Sequence, residues 1–267
     1  MTFHLSPLSF HLSYQNSAKT ILGLYDGSQP FSIFLKSYFR ENKKHGSKDR
    51  KHIAELCYAH FRSAPFPWKE ELSEGIDYEL FVKSFQVQPD VFLRLRPGKG
   101  NLVKEKLSKA ALEFREINPT CLALPNASKI DSVIELDKEA VIQDLNSQRV
   151  GEFLPSSVSR LPSPVWDCCC ASGGKSILAY DLLKNIGLTV SDIRESILVI
   201  LRKRFAKAGI RNYEWRVIDL SNLKSNIQHQ KSYDLVICDA PCTGSGTWSR
   251  TPEQLYYFKK EKIEYYS

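Results

Sequence analysis

The sequence lacks the features of membrane and exported proteins. None of its apolar runs approaches the roughly 20 residues that a helix needs to cross a bilayer. The first residues, MTFHLSPLSFHLSYQNSAK, contain no basic region ahead of an apolar stretch, so we expect no signal peptide. The mean hydropathy of −0.31, with 42% hydrophobic and 25% charged residues, is typical of a soluble globular protein. We therefore predict a cytoplasmic protein without a membrane partner.

The sequence also lacks a disulfide framework and a metal-ligand pattern. Its cysteine count of 7 is odd, and Cys168, Cys169 and Cys170 are consecutive. Adjacent cysteines pair poorly with one another, so a reducing compartment is expected. No Cys-x-x-Cys pair and no His/Cys cluster with zinc spacing occurs, and we predict no metal site. Cys168 and Cys238 fall on predicted strands and are interpreted as buried small apolar residues.

The chain is basic, with a net charge of +7 and a pI of about 8.9. The charge is concentrated at 36–51, where seven Lys and Arg residues stand against two acidic ones. Both a polyanionic partner and a solvated helical surface fit this stretch. Apolar residues recur at helical spacing through 31–65, and the prolines of SAPFPW at 63–68 then indicate a linker. We predict an N-terminal helical domain at 1–70.

A different pattern follows at 71–138. DVFLRLRPGKGN at 90–101 alternates apolar residues with Arg94 and Arg96, which predicts a strand with a basic end. NLVKEKLSKAALEF at 101–114 has the periodicity of an amphipathic helix, and SVIEL and AVIQDL are short apolar segments. This mixture predicts a small α+β module.

From 163 onward, predicted strands alternate with predicted helices. The strands are SPVWD, LTVSDI, YEWRVI and YDLVIC, and the helix RESILVILRKRFAKA ends at Gly209. Such alternation predicts an α/β domain with an open, mostly parallel sheet and helices on both faces. We assign residues 139–267 to this domain.

Each of these four strands is followed by polar residues, and ligands of open α/β sheets bind at the carboxyl ends of strands. The first strand leads into DCCCASGGK at 167–175, and the others lead to Asp192, Asp219 and Asp239. The glycines allow close approach of a ligand, and the next helix presents its N-terminal N–H groups. The loop is neither G-x-G-x-x-G nor a Walker A motif.

Taken singly, these features have plainer interpretations. DCCCASGGK also fits a tight strand–helix turn, and Asp192 either grips a ribose or caps the next helix. Four polar strand ends along one edge of the predicted sheet are harder to explain in this way. Three acidic residues would repel phosphate but suit a cofactor with a sulfonium and an ammonium group. This favours S-adenosylmethionine over NAD or ATP.

These segments resemble the RNA (cytosine-5) methyltransferases of the Sun/Nop family, which includes the 16S rRNA methyltransferase B-like proteins. DCCCASGGK is similar to D-x-C-A-A-P-G-G-K, and DAPCTGSGTWSRTPE at 239–253 to DAPCSGxGxxRRxPD. VIQDLNSQRVGEFL, FLRLRPGKGN and GSKDRKHIAELCYAHFR resemble its lead-in helix, RxNxLK strand and helical extension. The resemblance covers about residues 37–267 and implies a Rossmann-like class I methyltransferase sheet.

The resemblance also implies roles for individual residues. Asp192 would hold the ribose of S-adenosylmethionine, Asp219 would lie by the adenine, and Asp239 would lie near the methyl donor and the target base. The methionine part would be wrapped by Cys169, Cys170, Ala171, Ser172, Gly173, Gly174 and Lys175. RNA would be contacted by Arg94, Arg96, Lys99 and Arg250. Trp248 fits stacking on a base and plain loop packing equally well.

In this family a cysteine thiolate adds to carbon 6 of cytosine, which makes carbon 5 nucleophilic enough to take the methyl group. The cysteine of the proline-cysteine pair then helps to release the product by assisting proton removal from carbon 5. Cys242 matches this second role. A thiolate suits such chemistry because it is strongly nucleophilic once its pKa is lowered.

The sequence departs from the family in two places. The family's attacking cysteine lies in a later Thr-Cys segment, and we expect that the chain as given has an incomplete sheet and cannot finish the reaction. Reading past codon 267 tests this expectation. In the glycine loop Cys170 replaces Ala and Ser172 replaces Pro, and the second change should loosen the turn.

Three functions remain open at this point. The first is cytosine-5 methylation of RNA, with ribosomal RNA favoured over tRNA. The second is a non-catalytic RNA-binding or assembly protein on a methyltransferase scaffold. The third is methylation of a protein or of an exocyclic base nitrogen, although DAPC stands where such nitrogen methyltransferases carry Asn/Asp-Pro-Pro-Tyr/Phe. We expect a monomer.

Overall fold

The computed structural model describes residues 7–63, 68–154, 162–221 and 232–266. It divides into two compact units. The helical unit comprises Met1–Pro89 with Cys242–Ser267, and the sheet unit comprises Asp90–Pro241. Most of the predicted linker SAPFPW lies outside the described residues. The division into domains at 1–70, 71–138 and 139–267 stays a prediction.

The helices are α1 (Pro7–Leu24), α2 (Phe31–Glu41), α3 (Ser47–Arg62), α4 (Tyr78–Phe85), α5 (Gly100–Lys109), α6 (Leu145–Arg149), α7 (Gly174–Leu183), α8 (Glu195–Ala208), α9 (Pro252–Tyr256) and α10 (Glu261–Tyr266). Short 3-10 turns lie at Lys69–Glu71, Ile130–Ser132, Val150–Phe153 and Ser245–Thr247. The strands are β1 (Val91–Leu95), β2 (Arg115–Asn118), β3 (Cys121–Leu124), β4 (Ala140–Ile142), β5 (Ser163–Asp167), β6 (Ile186–Asp192), β7 (Tyr213–Val217) and β8 (Leu235–Ile237). Among the described residues, none of the helices is both long and apolar enough to cross a membrane.

The helical unit is built on apolar stripes. The helical spacing of apolar residues through 31–65 corresponds to two helices, α2 and α3. α2 buries Phe31, Leu35 and Phe39, which lie one turn apart on one face. α3 buries a matching stripe, and the two stripes form one core with residues of α1.

In the sheet unit, β1 lies inside an antiparallel sheet of order β2-β3-β1-β4. The predicted strand at 90–101 is confirmed over Val91–Leu95. The predicted helix at 101–114 ends earlier, at Lys109, because the chain turns at Ala111, whose φ is 52°. α5 buries Val103 and Leu107 in the core of this sheet.

The second sheet has the order β7-β6-β5-β8, and every pairing in it is parallel. It shares one core with α7 and α8. Gly209 ends α8 in the left-handed conformation with φ 78°, as predicted. The predicted α/β class with a Rossmann-like parallel sheet is confirmed.

Candidate active site

The carboxyl ends of the parallel strands meet at one edge of the sheet unit. Asp167 on β5 pairs with Val190 on β6 and with Ile237 on β8. Asp192 at the end of β6 pairs with Val217 on β7. The glycine loop and the segments that carry Asp192, Asp219 and Asp239 therefore begin side by side, as the strand pattern predicted. We call this edge the rim.

Gly173 and Gly174 play different parts in the glycine loop. Gly173 has φ 85°, and a Cβ built there would lie 2.7 Å from Cε1 of Phe205 on α8. Gly173 is thus required for a left-handed turn and for close packing on α8 rather than for approach to a ligand. A Cβ on Gly174 would meet no heavy atom of the described chain within 4 Å.

The loop is tied to α8 through Ser172. Both the carbonyl and the hydroxyl oxygen of Ser172 accept hydrogen bonds of 2.9 Å from Nη1 of Arg204. Arg204 also pairs with Asp137 at 2.7 Å. These contacts hold the loop at Ser172, the position at which proline is replaced.

Asp192 holds the loop from the other side. Its Oδ2 accepts the Ala171 N–H at 3.0 Å, and its Oδ1 accepts both the backbone N–H and Nε of Arg194 at 3.0 Å. Burial opposes ionisation of Asp192, but the hydrogen bonds from Arg194 and Ala171 hold its pKa below the usual range. The backbone bond to Arg194 forms a turn just before α8, whose N-cap is Arg194, so the alternative that Asp192 caps this helix is wrong. A ribose would have to displace the exposed Arg194 side chain.

Asp167, the first residue of the glycine motif, was not predicted as a site residue. It is completely buried, and its Oδ2 accepts the Ser176 hydroxyl at 2.6 Å. Within the described part of the chain, its Oδ1 has no hydrogen-bond partner. Burial raises the pKa of Asp167 to about 6. The signal was present in the sequence, because Asp167 opens the quoted motif.

Of the other two acids of the rim, Asp239 is exposed and Asp219 is half-buried. Oδ2 of Asp239 forms an ion pair of 2.5 Å with Nζ of Lys175. This ion pair joins the glycine loop to the segment that follows β8. Asp219 accepts the backbone N–H and the hydroxyl of Ser221, and these bonds lower its pKa.

Cys242 belongs to the helical unit. Its side chain is exposed, and its Sγ accepts the Gly244 N–H at 3.4 Å. The carbonyl of Ser249 in the same segment accepts a 2.8 Å hydrogen bond from Nη1 of Arg62 on α3. Arg62 is a positioning residue that sequence reasoning missed, since nothing local links it to this segment.

Trp248 is only 4% exposed and meets Phe258 edge to face at 4.9 Å between ring centroids. This burial favours loop packing over base stacking. Arg250, proposed to contact RNA, is half-buried, and its backbone N–H donates to the Thr247 carbonyl at 2.8 Å.

The predicted RNA contacts of Arg94 and Arg96 need correction. Arg94 is 4% exposed and donates to Asp181 on α7 at 2.6 Å, and Nη2 of Arg96 donates to the same carboxylate at 2.5 Å. Arg96 also donates to the Ala208 carbonyl at 2.7 Å. Both guanidinium groups are engaged by one buried carboxylate, and they fasten β1 to the helices of the parallel sheet.

Lys99 lies close to Arg96. It lines a cavity of about 560 Å³ together with Lys138, Lys184 and Lys207. Lys184 immediately precedes Asn185 and the start of β6, so this cavity lies at the amino ends of the strands. The structure therefore separates Lys99 from the rim.

The rim has a donor set suited to a zwitterionic ligand. The buried carboxylate of Asp167 has one oxygen without a partner among the described residues, and Asp192 and Asp239 add negative charge. The first N–H groups of α7, which begins at Gly174, have no acceptor inside the helix. A ligand that carries both an ammonium and a carboxylate group fits this combination.

Comparison with known proteins assigns this domain. A family model described as 16S rRNA methyltransferase RsmB/F matches residues 160–267. Over this segment, which is less than half of the chain, the sequence is similar to the RsmB/F family. The resemblance to the Sun/Nop methyltransferases, drawn from the glycine loop and the DAPC segment, is thereby confirmed.

Relatives of the RsmB/F domain include a probable ribosomal RNA small subunit methyltransferase B from Bacillus subtilis. It is 29% identical over 125 residues, which are 46% of this chain and 27% of that protein. The ribosomal RNA small subunit methyltransferase B of Xylella fastidiosa is 27% identical over 199 residues, 72% of this chain and 45% of that protein. The chain thus spans less than half the length of these relatives.

The crystal structure of PH0851 shares the fold. Its TM-score is 0.67 at 22% identity, and the match covers 93% of this chain and 61% of that one. The antiparallel sheet and the RsmB/F domain are therefore elements of a fold already seen in a solved protein.

Proposed function

We propose that this chain acts as an S-adenosylmethionine-dependent RNA methyltransferase that modifies carbon 5 of cytosine, with ribosomal RNA as the substrate and tRNA as the next choice. The observation that carries the proposal is the rim. There a glycine loop, the start of α7 and the carboxylates of Asp167, Asp192 and Asp239 come together beside four parallel strand ends. The RsmB/F match supports the choice of substrate.

S-adenosylmethionine would supply an electrophilic methyl group. Residues 169–175 would bind its methionine part, since the N–H groups at the start of α7 suit a carboxylate and the acids of the rim suit an ammonium. Asp192 would bind the ribose after the Arg194 side chain swings into solvent. Asp219 would lie by the adenine, and Asp239 near the methyl donor.

Cys242 would assist product release. After methylation, carbon 5 of the cytosine carries a proton, and a thiol attached to carbon 6 must leave. Removal of that proton re-forms the double bond and expels the thiolate, so a polar side chain at the proline-cysteine pair is suited to helping the step. The exposed Sγ of Cys242, fixed by the Gly244 N–H, supports this role.

RNA binding rests on exposed positive charge. The basic stretch at 36–51 exposes six of its lysine and arginine side chains: Lys36, Arg40, Lys43, Lys44, Lys48 and Lys51. Lys99 and the lysines around it add a second basic surface, on the sheet unit. Such charge binds phosphate without reading sequence, so it supports a nucleic-acid partner but does not choose among RNAs.

Calorimetric titration with S-adenosylmethionine tests the rim. We expect the folded chain to bind the cofactor, and Asp192→Asn to weaken binding at least about tenfold through loss of a charge-assisted hydrogen bond. Asp131→Asn, an exposed acid of the same unit, is the matched control and should bind like the wild type. No binding heat at millimolar cofactor would contradict the proposal.

The position of methylation is tested with ribosomal RNA that carries tritium on carbon 5 of its cytidines. Incubated with the protein produced from its own gene and methyl-labelled cofactor, this RNA should lose one tritium for each methyl group gained. Methylation without tritium release would place the methyl on another atom. Cofactor and RNA binding without any methylation would instead favour the non-catalytic assembly protein.

A further inference from the structure

Three cysteine side chains meet at the rim. The sulfur atoms of Cys168, Cys169 and Cys238 all lie within 4.8 Å of one another. Sequence spacing does not reveal this group, because Cys238 is far along the chain from the other two. The two segments become neighbours only when β5 and β8 pair.

Strand register explains the meeting. Asp167 pairs with Ile237, and the Cys168 N–H donates to the Ile237 carbonyl at 3.0 Å, so the next residues, Cys168 and Cys238, lie side by side. β5 ends at Asp167, and Cys168 and Cys169 form a turn. Adjacent residues of a strand point to opposite faces, but the turn lets both sulfurs reach the same side.

The three sulfurs differ in exposure. Cys168 is buried, Cys169 is half-buried, and Cys238 is exposed, which corrects the expectation that Cys238 is a buried apolar residue. The group therefore has an inner end fixed by the fold and an outer end open to solvent. A small ion can enter from the Cys238 side.

The distances suit a thiophilic cation. Zinc–sulfur bonds of about 2.3 Å place the sulfurs of a tetrahedral site about 3.8 Å apart. The observed upper limit of 4.8 Å requires a contraction of no more than about 1 Å, within reach of side-chain rotation at the turn. Thiolates select soft and borderline ions over Mg²⁺ or Ca²⁺.

We propose that Cys168, Cys169 and Cys238 form a binding site for one thiophilic divalent cation of the Zn²⁺/Cd²⁺ class, with three sulfur ligands and a fourth position open to solvent. This revises the prediction that the chain has no metal site. The site shares Cys169 with the proposed cofactor loop, but cadmium binding to the cofactor-free chain tests it separately from the methyltransferase function.

Titration of the chain with Cd²⁺, in a phosphine reductant, provides the test, with the ultraviolet sulfur-to-cadmium charge-transfer absorption as the signal. We expect one equivalent to bind, and Cys238→Ser and Cys168→Ser each to weaken binding by at least about tenfold, since each removes one of three thiolates. Cys242→Ser, which removes the other exposed cysteine of the described chain, is the control for cadmium binding and should leave the affinity unchanged.

Two results would overturn the site. One is unaltered Cd²⁺ affinity in Cys238→Ser, and the other is an equal loss in Cys242→Ser. Circular dichroism shows whether each variant is folded. X-ray absorption of the cadmium-loaded wild type gives the number of sulfur neighbours independently of any variant, and we expect three.

Discussion

At the scale of single residues, the rim contains one carboxyl group, that of Asp167, whose ionised form is costly to bury. Asp167 is completely buried, only one of its oxygens has a partner among the described residues, and burial raises its pKa to about 6. An ionised carboxylate is therefore poorly solvated here. A protonated carboxyl group, or an ammonium group brought by a ligand, would relieve the cost.

The raised pKa of Asp167 predicts how the unfolding free energy depends on pH. The folded pKa of about 6 lies above the unfolded value of about 3.9, so the native state holds the proton more tightly. The stabilisation from Asp167 is complete below about pH 4 and is lost as pH rises through about 6. Asp167→Asn removes this dependence while keeping an acceptor for Ser176.

Urea unfolding across this range provides the measurement. The unfolding free energy of Asp167→Asn should rise relative to that of the wild type by up to about 3 kcal/mol between about pH 4 and pH 7. Asp131→Asn should track the wild type at every pH. A constant difference between Asp167→Asn and the wild type would show that the carboxyl group does not titrate as described.

Among the elements, the turn from β5 into α7 is the most constrained. Gly173 combines a left-handed φ of 85° with close packing on Phe205 and Leu201. Gly209, at the end of α8, has a left-handed φ of 78° but open space around its Cα. Gly174 has open space and no unusual φ. Substitutions at these three glycines therefore distinguish the effect of backbone strain from the effect of packing.

Alanine substitutions at these three glycines should therefore lower the unfolding free energy by different amounts. Gly209→Ala should lower the unfolding free energy by about 1–2 kcal/mol, the cost of a left-handed alanine. Gly173→Ala adds overpacking and should lose about 2–5 kcal/mol, whereas Gly174→Ala should change stability by less than about 0.5 kcal/mol. Thermal or urea unfolding measures the unfolding free energy of each variant and so ranks the three. A Gly173→Ala variant no worse than Gly209→Ala would refute the packing on α8.

On the scale of the whole molecule, a segment late in the sequence folds with the helices of the first 89 residues. Residues 242–258 pack within the helical unit, where the Phe31 N–H donates to buried Glu253 and the Tyr257 hydroxyl donates to the Tyr25 carbonyl at 2.7 Å. Arg62 donates at 2.8 Å to the carbonyls of both Phe85 and Ser249. The segment that carries Cys242 is thus positioned by α3 and α4.

Arg62→Met should loosen that segment. The substitution keeps an apolar side chain but leaves the carbonyls of Phe85 and Ser249 without their donor, at a cost of about 2–3 kcal/mol. We expect faster hydrogen exchange across 242–258, with little change in β5 and β6. Lys51→Met, at an exposed position of the same helix, should leave exchange unaltered. Equal protection of 242–258 in both variants would rule out the anchoring role.

Much of the fold follows from local pattern. The stripes of α2 and α3, the alternation in β1, and the strand–helix rhythm from Ser163 to Gly209 are each readable in a short window. The predicted strands are confirmed as β5 to β8, and their register brings the acidic strand ends together. β2 was missed, since Arg115–Asn118 is exposed throughout and gives no apolar alternation.

By itself, then, the sequence determined the α/β class, the glycine loop with its acidic strand ends, and the match of residues 160–267 to the RsmB/F family model. Only the tertiary structure decided that Arg94 and Arg96 bind Asp181, and that Cys238 joins Cys168 and Cys169. The reason is physical. Periodicity and turn chemistry act between near neighbours in the chain, whereas a buried ion pair or a sulfur cluster depends on strand register and helix packing, which join distant residues.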